Sequence, residues 1–362
     1  MTVVRGVDVG RPMVGGPIEG VELLGSSELL EHPKLRSVGN GEVTALVAAH
    51  EGRTMDGAWL DRMGVERRRW ASTPGRSAED DAVTTDELLA AAAAAAIESA
   101  GIDRRDVDLM IAATTTTSRL TTSMGAAAAG RLGMRCATFE LRAGCASAAA
   151  ALITGYAHAA IGAECIVVTA AETLSKVCPP TGPLPYLAGD GGGAAVLVRT
   201  GRSGHGMTAS WMSADGSLHR LAGAPGELPP RQVDLDRRRY TLLMDRRFDE
   251  AAAPWWPIGP SEVLAASATA PGEVDAIVLN QANRPRLVET AFDIGVDAGS
   301  VVDVVSETAN AGAASMMVAL HRARSEVGDR AGDAGDNGSD GPRILVGAVG
   351  GGLSAASLLI RP

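Results

Sequence analysis

Short apolar segments alternate with alanine-rich stretches along most of the chain. A short apolar run between turn residues is typical of a buried strand, and a longer alanine-rich run is typical of a helix. The predicted strands are residues 20–25, 108–113, 138–141, 165–170, 194–198, 275–279, 301–305, 343–346 and 355–360. The predicted helices are residues 88–100, 124–132 and 261–268, and those that begin near Cys145, Pro285 and Asn310. This alternation predicts an α/β fold.

The two halves of the chain repeat one order of elements: helix, strand, helix, strand, helix, strand, strand. The repeat predicts a duplicated α/β unit, with an N-terminal half over residues 1–200 and a C-terminal half over residues 201–362. In this register the helix that begins at Cys145 corresponds to the helix that begins at Asn310. We therefore expect two helix N-termini to meet, with Cys145 and Asn310 directed at one point.

Four segments lack the strand–helix pattern. Residues 172–188 predict a proline-rich loop, residues 201–258 an irregular region, and residues 325–342 a flexible surface loop. Residues 189–193 predict a tight turn into a strand. Because this glycine run lacks a following Lys-Ser or Lys-Thr and does not precede a helix, it does not favour a nucleotide site.

The composition limits the classes of function. Of the 362 residues, 46% are hydrophobic but only 3% are aromatic, so the core must consist mostly of aliphatic side chains. A net charge of −10 argues against nucleic acid and anionic membranes as partners, because both bind basic surfaces. The sequence has no recognisable secretory signal or membrane-spanning segment, which favours a cytoplasmic protein.

Cys145 is the candidate nucleophile. The strand at 138–141 and the small residues after Cys145 place its thiol near a helix N-terminus, where backbone N–H groups and the helix dipole favour a thiolate. The alternative is a buried cysteine in an alanine-rich core helix. The other three cysteines form no CxxC pair and no histidine cluster has metal-ligand spacing, so we expect free thiols and no metal site.

The segment 59–70, WLDRMGVERRRW, places four arginines between two tryptophans. One interpretation is a solvated charged turn. The other is a docking surface for an anionic carrier protein or a nucleotide, and the spacing of the residues does not distinguish the two.

Several motifs between residues 55 and 360 resemble the β-ketoacyl-acyl-carrier-protein synthase III family. They are MGVERR, DVDLMIAATTT, ELRAGCASA, AAETLS, GDGGGAAVL, NQANRP, ETANAGAAS and VGGGLSAASLLIRP. The resemblance implies a thiolase-like fold, which is a duplicated five-layered αβαβα arrangement with mixed sheets. It also implies a homodimer, and no cofactor beyond the phosphopantetheine that carries the acyl group on a carrier protein or on coenzyme A.

The resemblance also implies the catalytic residues. In this family a cysteine accepts the acyl group from a thioester, and Cys145 matches it. The N–H groups of Cys145 and Gly351 would form the oxyanion hole. Asn310 matches the asparagine of the family's GN(T/S) motif.

Asn280 departs from the family pattern, because it stands in NQAN where the family has the histidine of HQAN. In the family this histidine and an asparagine stabilise the enolate that forms when the extender thioester loses carbon dioxide. Asparagine can still donate an N–H, but it cannot exchange a proton near pH 7. The substitution therefore calls carbon–carbon bond formation into question.

Three functions are consistent with these residues. The chain looks like an offshoot of the family that transfers an acyl group from Cys145 to a hydroxyl or amine of a small natural-product acceptor, as in antibiotic biosynthesis and other secondary metabolism. The alternatives are a decarboxylative ketosynthase that works without the histidine, and a non-catalytic partner subunit of a synthase. The retained Cys145 and the glycine turn argue against the last. Of the six histidines, His219 is the best placed to replace the missing base, unless it is only a surface residue.

The resemblance places the substrate-binding residues as well. Trp59 and Arg62 match the pantetheine entrance, and Asn283 and Arg284 are expected to contact the substrate or an acidic carrier protein. The loop at 178–183 lacks the arginine that family members using coenzyme A often carry, which favours a carrier protein as donor.

Thr121 falls where an aromatic residue of the partner chain often limits acyl length in the family. A small residue at this position leaves room for a bulky, branched or aromatic acyl group. This expectation depends on the homodimer, because the residue acts across the interface.

Overall fold

The computed structural model describes residues 9–51, 53–76, 82–227, 229–236, 239–334 and 341–362. Its strands are β1 (Met13–Gly15), β2 (Ile18–Glu19), β3 (Val21–Leu29), β4 (Arg36–Gly39), β5 (Arg67–Trp70), β6 (Leu109–Ala113), β7 (Ala137–Leu141), β8 (Cys165–Thr173), β9 (Asp190–Arg199), β10 (Gly206–Ala214), β11 (Ala222–Gly223), β12 (Leu243–Met244), β13 (Ala276–Leu279), β14 (Ile344–Gly350) and β15 (Ser354–Arg361). Its helices are α1 (Asn40–Glu51), α2 (Gly57–Met63), α3 (Thr85–Ala100), α4 (Met124–Arg131), α5 (Ser147–Ala160), α6 (Leu184–Leu187), α7 (Gln232–Asp236), α8 (Arg246–Ala252), α9 (Trp255–Ala266), α10 (Arg284–Ile294), α11 (Val305–Thr308) and α12 (Gly312–Ala334).

Two mixed sheets share one topology. The first has the order β3-β9-β8-β6-β7, and the second has the order β1-β10-β15-β14-β13, with β2 also paired to β10. In the first sheet β6 runs parallel to β8, which is antiparallel to β9. In the second sheet β13 runs parallel to β14, which is antiparallel to β15. The predicted duplication is therefore confirmed as a repeated sheet topology.

The helices and sheets form five layers. Helices α3 and α4 pack on the outer face of the first sheet, and α9 packs on the outer face of the second. Helices α5 and α12 lie between the sheets, contact each other and contact strands of both. Residues 148–151 of α5 are four alanines with no exposed surface, and such small side chains let the central helices approach both sheets closely.

One predicted strand is wrong. Residues 301–305 contribute only an isolated bridge, between Val301 and Ile277, and then turn into helix α11. Asp303 lies just before this helix, and its side chain accepts a hydrogen bond from the N–H of Val305, the first helical residue, at 2.9 Å. The second sheet therefore has no counterpart of β7 at this edge among the described residues.

Three of the predicted irregular segments are ordered. Residues 206–214 form β10, a strand inside the second sheet. Its Thr and Ser residues interrupt the apolar run that would have predicted a strand. The glycines at 190–193 belong to β9 rather than to a turn, because α12 lies on them: a Cβ on Gly193 would be 2.8 Å from the Met317 Cβ. In the region 172–188, β8 extends to Thr173 and α6 spans Leu184–Leu187.

The predicted loop at 325–342 is helical as far as Ala334, where α12 ends, and residues 335–340 lie outside the described residues.

All strands of the first sheet precede residue 200, whereas β1 and β2 join the second sheet from the start of the chain. The division at residue 200 therefore stays a prediction. Within the described residues, we find no helix whose length and apolar character would let it cross a membrane.

Candidate active site

Cys145 lies in the turn between β7 and α5, packed against a second turn. Gly144 has φ +59°, and a Cβ built on it would lie 2.5 Å from the Gly351 N. A Cβ on Gly350 would lie 2.6 Å from the Cys145 N. The two backbones thus touch at positions where only glycine fits. This contact brings the Gly351 N–H into hydrogen-bonding range of the Cys145 sulfur.

The thiol of Cys145 is protonated at rest. Burial, reinforced by the nearby Glu172 carboxyl, raises its pKa to about 12. Hydrogen bonds from the Asn310 side chain and from the N–H groups of Cys145 and Gly351 favour the thiolate but do not outweigh burial. The expectation of a thiolate poised by the helix dipole is therefore wrong for the free enzyme. The residue as a whole is partly exposed.

Asn310 is oriented by its own backbone. It follows Ala309, which has φ 51°, an uncommon value for a residue with a side chain. Its side-chain oxygen accepts the Gly312 N–H at 2.9 Å, at the start of α12. Because a backbone N–H can only donate, the amide oxygen faces Gly312 and the Nδ2 group is left to donate to the Cys145 sulfur.

Asn280 is oriented in the same way. It follows β13, is 1% exposed, and its Oδ1 accepts the Val349 N–H at 3.0 Å. Its own N–H donates to the Gly347 carbonyl at 3.1 Å. The side chain is therefore fixed beside the strand that leads into the glycine turn, and Nδ2 is its hydrogen-bond donor group. Asn280 can donate a hydrogen bond but cannot act as a base.

The two turns and the Asn310 side chain meet at the Cys145 sulfur, and Asn280 is held to the strand that leads into the second turn. Backbone N–H groups and side-chain amides can stabilise negative charge on an oxygen of a bound substrate. None of these groups exchanges a proton near neutral pH. This arrangement therefore suits a thioester reaction in which charge develops on oxygen.

Two family models match this chain. The model described as the C-terminal domain of 3-oxoacyl-[acyl-carrier-protein] synthase III matches residues 264–362, and the model described as 3-oxoacyl-[acyl-carrier-protein] synthase III matches residues 139–216. The β-ketoacyl-[acyl-carrier-protein] synthase III 1 of Vibrio vulnificus is 30% identical over 268 residues, which are 73% of this chain and 80% of that protein. This chain belongs to the synthase III family.

Other relatives agree. The β-ketoacyl-[acyl-carrier-protein] synthase III 3 of Streptomyces coelicolor is 30% identical over 71% of this chain and 77% of its own length. The priming β-ketosynthase of the R1128 polyketide pathway has 25% identity and a TM-score of 0.78, covering 96% of this chain and 98% of that one. The synthase III of Aquifex aeolicus, at 24% identity, covers 96% and 100% with the same TM-score and supports the fold.

Glu172 is a residue of this synthase III site that the sequence analysis did not assign. It is the penultimate residue of the buried strand β8, has no exposed surface, and lies against Gly312, where a Cβ would be 3.2 Å from its Oε1. The sequence does carry a signal for Glu172. It is a carboxyl at the end of the apolar run CIVVTAAE, and the threonines 114–116 follow the neighbouring strand β6.

All six histidines are within the described residues, and their rings contact groups other than Cys145, Asn280 and Asn310. His219 is exposed, and its Nδ1 contacts the Gly216 carbonyl at 3.0 Å. The other five contact backbone groups, Ser26 or the Phe139 ring. His219 as a replacement base therefore stays a prediction, and Asn280 has no imidazole partner among these contacts.

The segments that carry the residues predicted at the pantetheine entrance lie side by side, but their side chains have different partners. Arg284 packs on Gly64 at the end of α2, the helix that carries Trp59 and Arg62, so the two segments adjoin. Arg284 is paired with Asp303 at 2.6 Å, Arg62 is exposed, and Trp59 packs edge-on against Tyr186.

Asn283 has a structural role, since its Oδ1 accepts the Arg286 N–H at 3.0 Å and caps α10. Thr121 is exposed in the loop between β6 and α4. Substrate contacts by either residue stay predictions. Within the part of the chain that the structure describes, no group of His, Cys, Asp and Glu side chains could hold a metal ion.

Proposed function

We propose that this synthase III-family chain is an acyltransferase that takes an acyl group onto Cys145 and passes it to a hydroxyl or amine of a small natural-product acceptor, in antibiotic or other secondary metabolism. One observation carries the proposal. Asn280 occupies the position of the family histidine, and its Oδ1 is fixed by the Val349 N–H. The site thus keeps donors for an oxyanion but lacks the imidazole that serves the condensation.

In the first step the Cys145 sulfur attacks the carbonyl carbon of a donor thioester. The thiol gives up its proton, the oxyanion is held by the N–H groups of Cys145 and Gly351, and the pantetheine thiol leaves with a proton. The hydrogen bonds at the sulfur support this step, because all three favour the thiolate over the thiol.

In the second step the acceptor's nitrogen or oxygen attacks the acyl carbonyl, the carbon–sulfur bond breaks, and the Cys145 thiolate takes up the proton that the acceptor loses. The Nδ2 groups of Asn280 and Asn310 position the acceptor. A neutral amine needs no base to expose its lone pair, whereas a hydroxyl does. The absence of histidine at position 280 therefore favours an amine.

The proposed donor is an acyl group on the phosphopantetheine of a carrier protein, with coenzyme A as the other source, and the enzyme needs no other cofactor. Arginines at the junction of α2 and α10 suit an acidic carrier protein. Arg62 and Arg284 are both exposed, and Arg284 is paired with Asp303.

We also propose that the chain forms a homodimer through the free edge of β7. The first sheet ends at this strand, whose residues are all at least partly exposed, and unpaired strand edges invite pairing. Thr121, in the loop just before the helix that packs on β7, would then border the acyl pocket of the partner chain.

A second candidate is a decarboxylative synthase. It is favoured by the names of the relatives, which include a priming β-ketosynthase at 25% identity. The two asparagine amides would then stabilise the enolate without an imidazole. Release of carbon dioxide from a malonyl-carrier thioester separates this candidate from the first.

The test is intact mass spectrometry after incubation with a panel of acyl-carrier and acyl-coenzyme A thioesters. We expect one acyl adduct on the native chain, none on Cys145→Ala, and a normal adduct on the matched control Cys136→Ala, since Cys136 is also partly exposed. No adduct from any donor would contradict the proposal and would favour a non-catalytic partner subunit.

A further inference from the structure

The Glu172 carboxyl is buried without a cation. Its hydrogen bonds come from the segment after β6: the Thr115 N–H at 3.0 Å, the Thr115 hydroxyl at 2.9 Å and the Thr116 hydroxyl at 2.7 Å. A weaker contact comes from Thr114 at 3.4 Å. Among the described residues, no arginine or lysine forms an ion pair with Glu172. A buried carboxyl held by neutral donors alone is uncommon and calls for an explanation.

A short chain of contacts links this carboxyl to the nucleophile. Glu172 lies against Gly312, and the Gly312 N–H holds the side chain of Asn310. The other amide group of Asn310 contacts the Cys145 sulfur, and the Glu172 charge itself acts on that sulfur. A change in the charge of Glu172 is therefore felt at the nucleophile both directly and through Asn310.

Burial raises the pKa of two carboxyls in this region, Glu172 and Asp190, and Glu172 is the one whose charge acts on the Cys145 sulfur. Burial raises the pKa of Glu172 to about 7, although the threonine hydrogen bonds oppose the shift. The neighbouring carboxyls have their own partners: Asp86 accepts from Ser118 and Arg131, and Asp190 accepts from Ser175. From the loop before α5, the titratable group that feels the Glu172 charge is the Cys145 thiol.

We propose that Glu172 is a positioning residue whose protonation state controls the reactivity of Cys145. When the carboxyl is protonated, no negative charge opposes formation of the Cys145 thiolate. When it is ionised, the thiolate is disfavoured and the sulfur stays protonated. The site would thus keep a titratable group near neutral pH although position 280 carries asparagine. This inference rests on the proposed role of Cys145 as nucleophile.

The test is the pH dependence of Cys145 alkylation by iodoacetamide, read as the mass of the Cys145 peptide between pH 5 and 10. We expect Glu172→Gln to be alkylated at least about tenfold faster at pH 8.5, the change that accompanies one unit of thiol pKa. The inflection near neutral pH should also disappear in this variant. Because no acyl donor is needed, failure of this test is distinguishable from failure of the acyltransferase proposal.

A second variant covers the case in which Glu172→Gln does not fold. Thr115→Val removes one hydroxyl donor to the carboxylate, so the inflection should move to higher pH. Thr117→Val is the matched control, because its hydroxyl donates to the Arg119 carbonyl instead, and its profile should equal that of the native chain. An unchanged profile in folded Glu172→Gln or in Thr115→Val would overturn the proposal.

Discussion

The Asn280 Oδ1 accepts the Val349 N–H at 3.0 Å, and this bond joins the end of β13 to the strand that leads into the glycine turn. The side chain therefore has one structural role and one proposed role. Its oxygen satisfies a buried backbone donor, and under the proposed function its nitrogen is presented to the substrate. The two roles can be separated by measurement.

Asn280→Ala should lose both roles. The Val349 N–H is left without its acceptor, which costs about 1–3 kcal/mol of the free energy of unfolding. Transfer of the acyl group to the acceptor should slow, while acylation of Cys145 continues. Urea unfolding and the lifetime of the acyl adduct measure the two effects.

The control for Asn280→Ala is Thr169→Val, which removes a buried hydrogen bond to the Leu89 carbonyl on the opposite face of the first sheet. It should lower stability to a similar degree and leave the adduct lifetime unchanged. Equal lifetimes in the native chain and in Asn280→Ala would contradict the role of the amide.

Gly144→Ala should abolish most acylation. The added Cβ would lie 2.5 Å from the Gly351 N and would push the two turns apart. Loss of one oxyanion donor costs about 100-fold or more in rate. The rate of adduct formation from the best thioester measures the effect.

The matched control for Gly144→Ala is Gly133→Ala. Gly133 also has positive φ, at +64°, but nothing lies within 4 Å of its Cβ position. This variant carries the backbone strain without the clash, so it should lose stability and keep its acylation rate. Equal rates for the two variants would show that strain, not contact with Gly351, is responsible.

Stability should depend on pH through Glu172. The pKa of this carboxyl is raised from its ordinary value of 4.5 to about 7, so the folded chain holds the proton more tightly than the unfolded chain. The favourable contribution is fully present below pH 4.5 and is lost as pH rises through 7. The loss reaches about 3 kcal/mol at 1.36 kcal/mol per unit.

The comparison of the native chain with Glu172→Gln isolates this effect, because the raised pKa of the buried Asp190 carboxyl, about 6, shifts both chains alike. The native chain should lose stability relative to the variant between pH 5 and 8, by urea unfolding at each pH. A difference that does not vary with pH would contradict the assignment.

Thr121→Trp should change acyl selectivity. If the loop borders the partner's acyl pocket, the indole fills space that a bulky acyl group needs, whereas an acetyl group still fits. The ratio of adduct yields from a branched or aromatic donor and from an acetyl donor should fall. Thr122→Trp, at the neighbouring exposed position, is the control, and an equal fall in both variants would contradict the role of Thr121.

Much of the fold could be predicted from the sequence, because apolar runs and alanine-rich helices carry strong periodic signals. The strand β10 could not, since its Ser and Thr residues interrupt the apolar pattern that its neighbours show. The strand predicted at 301–305 failed for the opposite reason: the pattern was apolar, but the chain turns into a helix at Val305, whose N–H bonds to the Asp303 side chain.

The candidate site was predictable where a motif named the residue, as for Cys145 and Asn310. The state of the thiol was not, because burial and the charge of Glu172 depend on packing between elements far apart in sequence. Contacts between a strand and a helix that are far apart in the sequence, such as Glu172 against Gly312, have no local signature.

The central claim is that acyl-Cys145 serves transfer to a heteroatom rather than condensation. The most direct measurement is a single turnover in which the acylated enzyme meets a malonyl-carrier thioester, with carbon dioxide release and adduct mass followed together. We expect the adduct to persist and carbon dioxide to stay at the level of Cys145→Ala. Carbon dioxide released in step with loss of the adduct would contradict the account.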